Sequence, residues 1–162
     1  MAKLNILEHP DPRLREPSAP VETFDQELRE LVDDMIETMR AASAIGLAAP
    51  QVDVRRRIIV CCADPEQTPR VFINPEITGS SLPGYIEERC LSVPGRQGLV
   101  VRPTRISVRA QDTSGERFHC KLENLEAVCL HHEVDHLDGT LFIDRLSFWQ
   151  RLRMRAGRLL RR

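Results

Sequence analysis

The ten residues from Leu130 to Gly139, LHHEVDHLDG, restrict the fold of this chain more than any other stretch. They contain His132-Glu133-x-x-His136. Residues four apart share one face of an α-helix and stand about 6 Å apart along its axis. Two imidazoles at that spacing can reach one ion, and Glu133 beside them can take a proton from a water at that ion. The neighbouring residues also read as a helix. Leu125, Val128, Cys129, His132 and His136 form a stripe, and Asp138-Gly139 reads as its stop. The bland alternative is a partly buried helix whose histidines only hydrogen-bond. Two histidines at this spacing, with a glutamate between them, weigh against it.

Two histidines need a third protein ligand. The long zinc-protease form of the motif ends in a third histidine, and here Phe142 stands at that position although Gly139 fits. A downstream glutamate is the other common choice, but none follows Glu133, and Asp144 is a weak candidate. The ligand is therefore expected upstream, where the chain's five cysteines lie. Cys129 is seven residues before His136, about 10 Å along the helix, which is too far for a short thiolate; it reads as an apolar wall residue. Cys61 and Cys62 close the apolar run RIIVCC, a buried strand whose adjacent residues face opposite ways. Cys120 lies in a second strand-like run, and all three read as core residues. Cys90 remains, in IEERCLSVPG, just before a Pro94-Gly95 turn.

Three segments in order, IGLAAPQ (45–51), EERCLSVPG (87–95) and LHHEVDHLDG, resemble the motifs of the peptide deformylase family, G-x-G-x-A-A-x-Q, E-G-C-L-S and H-E-x-D-H. The resemblance covers about residues 3 to 147. It implies a hydrolase that removes the formyl group from the N-terminal methionine of new proteins. It implies Cys90, His132 and His136 as metal ligands and Glu133 as the general base. The Gln51 amide and the Leu91 backbone N–H are implied as donors to the oxyanion. Donor chemistry alone suits zinc, iron, cobalt or nickel. The resemblance points to Fe²⁺, with Zn²⁺ or Ni²⁺ as replacements. A formyl carbon carries only hydrogen, so a narrow site can admit it and exclude bulkier acyl groups. Candidate groove residues are Ile45, Gly46, Ile86, Arg89, Leu125, Val128 and Cys129, with the methionine side chain in an apolar pocket.

Two positions depart from the family pattern: Ala44 and Arg89 stand where glycines are usual. If either glycine serves a positive φ, the replacement is strained; Arg89 can also narrow or charge the groove. These departures motivate a second reading, a deformylase-like paralogue that binds nascent chains or ribosomes without turnover. A metallopeptidase is a third, and the missing downstream ligand counts against it. His131 replaces a usual glutamine and is expected to matter little.

The expected class is α+β, with antiparallel strands wrapped around a central metal-binding helix, an N-terminal helix and a C-terminal helix. At 162 residues the chain suits a single catalytic domain. The N-terminal helix is expected from about Asp25 to Ala42, because Leu28, Leu31, Val32, Met35, Ile36 and Met39 recur at helical spacing. Strands are expected at 57–63, 71–77, 85–91, 98–102, 105–112 and 117–122, with DTSGE (112–116) as a hairpin turn. The last helix begins near Ser147 and carries Arg151, Arg153, Arg155, Arg158, Arg161 and Arg162. Phe148, Trp149, Leu152 and Leu159 are expected to pack inward. The family resemblance associates this helix with ribosome docking, and its charge suits phosphate. Net charge is −1, so the chain as a whole carries no polyanion-binding signature. Residues 1–12 lack the apolar centre of a signal peptide, and no run suits a membrane span. An odd number of cysteines, one needed as a thiolate, fits a reducing cytoplasm.

Overall fold

A computed structural model of the chain describes residues 3–81 and 83–159, with side chains as far as Arg153. The first helix, α1 (Gln26–Ala41), begins where the Asp25 carboxylate accepts the Leu28 N–H at 3.0 Å. Its buried side chains Leu28, Val32, Met35 and Met39 are spaced by three and four, so one face meets the core.

Five strands form one antiparallel sheet in the order β1 (Gly46–Ala48), β2 (Ile58–Cys61), β3 (Arg70–Ser80), β6 (Arg105–Gln111), β7 (Arg117–Glu123). β4 (Pro83–Arg89) and β5 (Gln97–Pro103) pair separately as a two-stranded sheet. β2 is buried on both faces, which explains its unbroken apolar sequence. Ile58 and Val60 face the α1 cluster, while Ile59 and Cys61 face the cluster around α2 (Asn124–Leu137). Cys62, one residue on, packs against the α1 cluster, so the two adjacent thiols do face opposite ways. β3 carries register shifts beginning at Asn74-Pro75, because proline cannot donate to the ladder.

α2 packs against β1, β2, β5, β6 and β7 and is buried on several faces. It is the central helix the sequence predicts. It stops at Asp138, and Gly139 follows at φ 71 with the Arg15 carbonyl against it, where a side chain would be both strained and crowded.

Three expectations need correction. The β1 strand is absent from the sequence reading, because three residues are too short to show an alternation. β4 ends at Arg89, so Cys90 and Leu91 leave the strand and enter a turn closed by Val93 N–H on the Cys90 carbonyl at 3.0 Å. The third helix, α3 (Phe148–Leu159), forms as expected, but Phe148, Trp149 and Leu152 are 64%, 70% and 47% exposed. The cluster of Leu7, Leu14, Val93, Val100, Leu141, Phe142 and Leu146 forms without any of these three side chains. The Leu159 side chain lies outside the described residues. No helix among the described residues is long and apolar enough to cross a membrane.

Candidate metal and active site

α2 presents His132 and His136 on one face, and the turn after β4 brings Cys90 to them. Cys90 Sγ lies 3.2 Å from His136 Nε2, and one ligand atom from each of the three residues falls within 4.8 Å of the others. Tetrahedral ligands bonded at 2.0–2.3 Å stand roughly 3.3–3.8 Å apart, so the three donors fit one ion with small adjustment. The donor set, one thiol and two imidazoles, suits a borderline transition metal. His132 Nδ1 is 2.8 Å from Glu88 Oε2, which leaves Nε2 for the ion. Burial opposes a charge on His132, yet its acceptors Cys90 and Glu88 draw positive charge to that place. Burial, together with the field of His132, pushes His136 down and keeps its imidazole neutral.

Behind the histidines runs a buried polar chain. Arg102, fully buried on β5, donates to both Glu88 oxygens at 2.6 and 2.9 Å and to Asp135 Oδ2 at 2.5 Å. Arg145 donates to both Asp135 oxygens at 2.5 Å. Burial alone would raise the Glu88 carboxyl, but hydrogen bonds from Arg102 and His132 outweigh it and hold it at about 2. Glu88 therefore stays ionised and fixes the His132 ring. His131 is not idle: its Nδ1 lies 2.8 Å from Arg102 Nη1. Burial and the Arg102 charge push its pKa down, so the ring stays neutral and accepts.

Glu133 points to the groove floor, where burial pushes its carboxyl up to about 7. Gly46 lies against it: a Cβ there would meet Glu133 Oε1 at 2.6 Å and Cys129 Sγ at 2.7 Å. Gln51 is buried in a short turn after β1. Its Oε1 accepts the Ala48 N–H at 2.9 Å, so its amide nitrogen faces Ser92 Oγ at 3.1 Å and Cys90 Sγ at 3.7 Å. A groove of about 560 Å³ opens over these groups. Ile45, Gly46, Gln51, Ile86, Arg89, Cys90, Leu91, Leu125, Val128, Cys129, His132 and Glu133 all line it, so the ligands, donors, base and groove residues expected from the sequence border one space, except the buried ligand His136.

Cys129 stays outside the ligand set, with its sulfur 3.5 Å from Cys61 Sγ. Leu125 is 49% exposed and belongs to the groove wall, whereas Val128 is buried. Neither Ala44 nor Arg89 has a positive φ. The left-handed position of the α1–β1 turn is Ser43, at φ 52. Sequence reasoning missed Glu88, Arg102, Asp135 and Arg145. One signal was available: in β5 Leu99 and Val101 are exposed while Val100 and Arg102 are buried, so strand parity places Arg102 on the inner face.

A family model described as polypeptide deformylase matches residues 3–152. A peptide deformylase of Hahella chejuensis is 51% identical over 157 residues, spanning 96% of this chain and 94% of that protein. One of Azotobacter vinelandii is 51% identical over 158 residues, with coverage of 96% and 94%. A crystal structure of a peptide deformylase from Legionella pneumophila superposes with a TM-score of 0.91 at 43% identity, covering 99% of each chain. Agreement of sequence and fold over nearly the whole length leaves one assignment: the chain belongs to the polypeptide deformylase family, a family of metal-dependent hydrolases.

Proposed function

We propose that this chain, acting as a single catalytic domain in the cytoplasm, removes the N-formyl group from the terminal methionine of newly made proteins and releases formate. The observation that carries the reading is the meeting of Cys90, His132 and His136 beside the buried Glu133 carboxyl at the floor of an open groove.

Cys90, His132 and His136 would hold the ion, which we assign as Fe²⁺; Zn²⁺ or Ni²⁺ suits the same donors. When bound, the metal supplies Lewis acidity and makes a water acidic enough to attack near neutral pH. Glu133 accepts the proton of the attacking water and passes it to the leaving amine; a carboxyl at about 7 can do both near neutrality. The Gln51 amide and the Leu91 N–H stabilise the charge that develops on the formyl oxygen. Support for the Gln51 role comes from its orientation, because the Ala48 bond turns its N–H donors toward the ligands. Ile86, Leu125, Val128 and Cys129 wall the methionine side chain, with Ile45, Gly46 and Arg89 along the groove. The arginines of the C-terminal helix supply the charge for docking on ribosomal phosphates.

The paralogue reading loses its strain argument, since neither Ala44 nor Arg89 has a positive φ. The test is formate release by anaerobically purified, Fe²⁺-loaded protein from a formyl-Met peptide, with an acetyl-Met peptide as control. Release from the formyl peptide alone is expected. No release with iron bound overturns the proposal.

A further inference from the structure

We propose that Arg89 makes the groove selective for peptides with an acidic residue directly after the terminal methionine. The inference rests on the deformylase reading for the placement of the methionine. Among the described residues β4 pairs only with β5, so its second edge has no strand partner there, and it borders the groove through Ile86, Glu87, Glu88 and Arg89. An extended peptide can lie along such an edge, as an added strand.

Side chains of an extended strand alternate between faces. In β4 the inward residues are Ile86 and Glu88, on the side of α2, and the outward ones are Tyr85, Glu87 and Arg89. A methionine directed inward at Val128 puts the next side chain on the outward face, with Arg89. Neighbours across a strand pair stand about 4.5–5.5 Å apart and diagonal ones about 7–8 Å, both within the reach of an arginine.

The Arg89 guanidinium is available. Arg102 and Arg145 are committed to Glu88 and Asp135, but Arg89 has no ion-pair partner among the described residues. Glu87, two residues back on the same face, accepts a hydrogen bond from Gln97 at 3.2 Å. An unpaired cation beside the path of a substrate favours a carboxylate and disfavours an ammonium.

The test compares kcat/KM for formyl-Met-Glu-Ala and formyl-Met-Lys-Ala amides in wild type, Arg89→Gly and Arg89→Glu at low salt. The wild type should favour the glutamate peptide about fivefold. That ratio should fall toward one in Arg89→Gly and invert in Arg89→Glu. The same ratio in all three proteins overturns the proposal. Fluorescence anisotropy with labelled Met-Glu-Ala and Met-Lys-Ala peptides reads the same preference without turnover. If no formyl peptide is cleaved, the functional reading fails, while the binding ratio in wild type and Arg89→Glu still decides the role of Arg89.

Discussion

Gly46 and Glu133 illustrate how little freedom single residues have at this site. With Glu133 Oε1 only 2.6 Å from where a Cβ would stand, Gly46→Ala must displace either the carboxyl or Cys129. Overpacking of this kind costs about 1–3 kcal/mol, and the displaced group is the proposed base. We expect kcat/KM for a formyl-Met peptide to fall at least about tenfold, a loss of ~1.4 kcal/mol in transition-state stabilisation, with the fold retained in thermal melts. Unchanged turnover would show that Glu133 does not need its present position. Cys90→Ala and Glu133→Ala separate binding from chemistry. The first should lose metal, measured by atomic emission. The second should keep metal and lose about 10²-fold or more in turnover. Equal metal content in wild type and Cys90→Ala would remove Cys90 from the ligand set.

At the scale of elements, β4, β5 and α2 are joined by the Glu88–Arg102–Asp135 chain rather than by packing alone. Because the folded pKa of Glu88 is about 2 against an ordinary 4.5, Glu88 stabilises the fold fully above about pH 4.5. That contribution, about 3 kcal/mol, is lost as the pH falls from there toward 2. Glu88→Gln should therefore flatten the acid limb of the stability curve in denaturant titrations between about pH 5 and 2. An unaltered slope would place the acid sensitivity elsewhere. Arg102→Met should be worse at neutral pH, by about 3–5 kcal/mol, since it takes both arginine bonds from the buried Glu88 carboxylate. This network also marks where the sequence stops being readable. The metal helix is legible because its spacing and stop are local. Cys90 is legible because a thiolate is a rare and suitable ligand. Glu88 and Arg102 lie 14 residues apart, and Arg102 and Asp135 lie 33 apart. Their pairing exists only once β4 and β5 are folded onto α2.

Over the whole molecule, three apolar clusters hold nearly all of the described core, and none includes a described side chain of α3. The inward packing expected for Phe148, Trp149 and Leu152 rested on their apolar side chains, and an apolar residue on a helix does not itself supply a surface to cover it. Leu146 is the last of the described residues in those clusters, and it sits under Gly98, where a Cβ would collide with its side chain. Ending the chain after Ser147 should therefore cost little stability, since Phe148, Trp149 and Leu152 are exposed and the Arg151 N–H bond to the Ser147 carbonyl is internal to the helix start. We expect the shortened protein to melt within a few degrees of the full chain and to hydrolyse a formyl-Met tripeptide at a similar kcat/KM. The same truncation removes Arg151, Arg153, Arg155, Arg158, Arg161 and Arg162, so co-sedimentation with ribosomes should fall sharply and should already be salt-sensitive in the full chain. A large fall in melting temperature would mean that α3 covers part of the core after all. Intact co-sedimentation would move the docking surface away from the C-terminal helix.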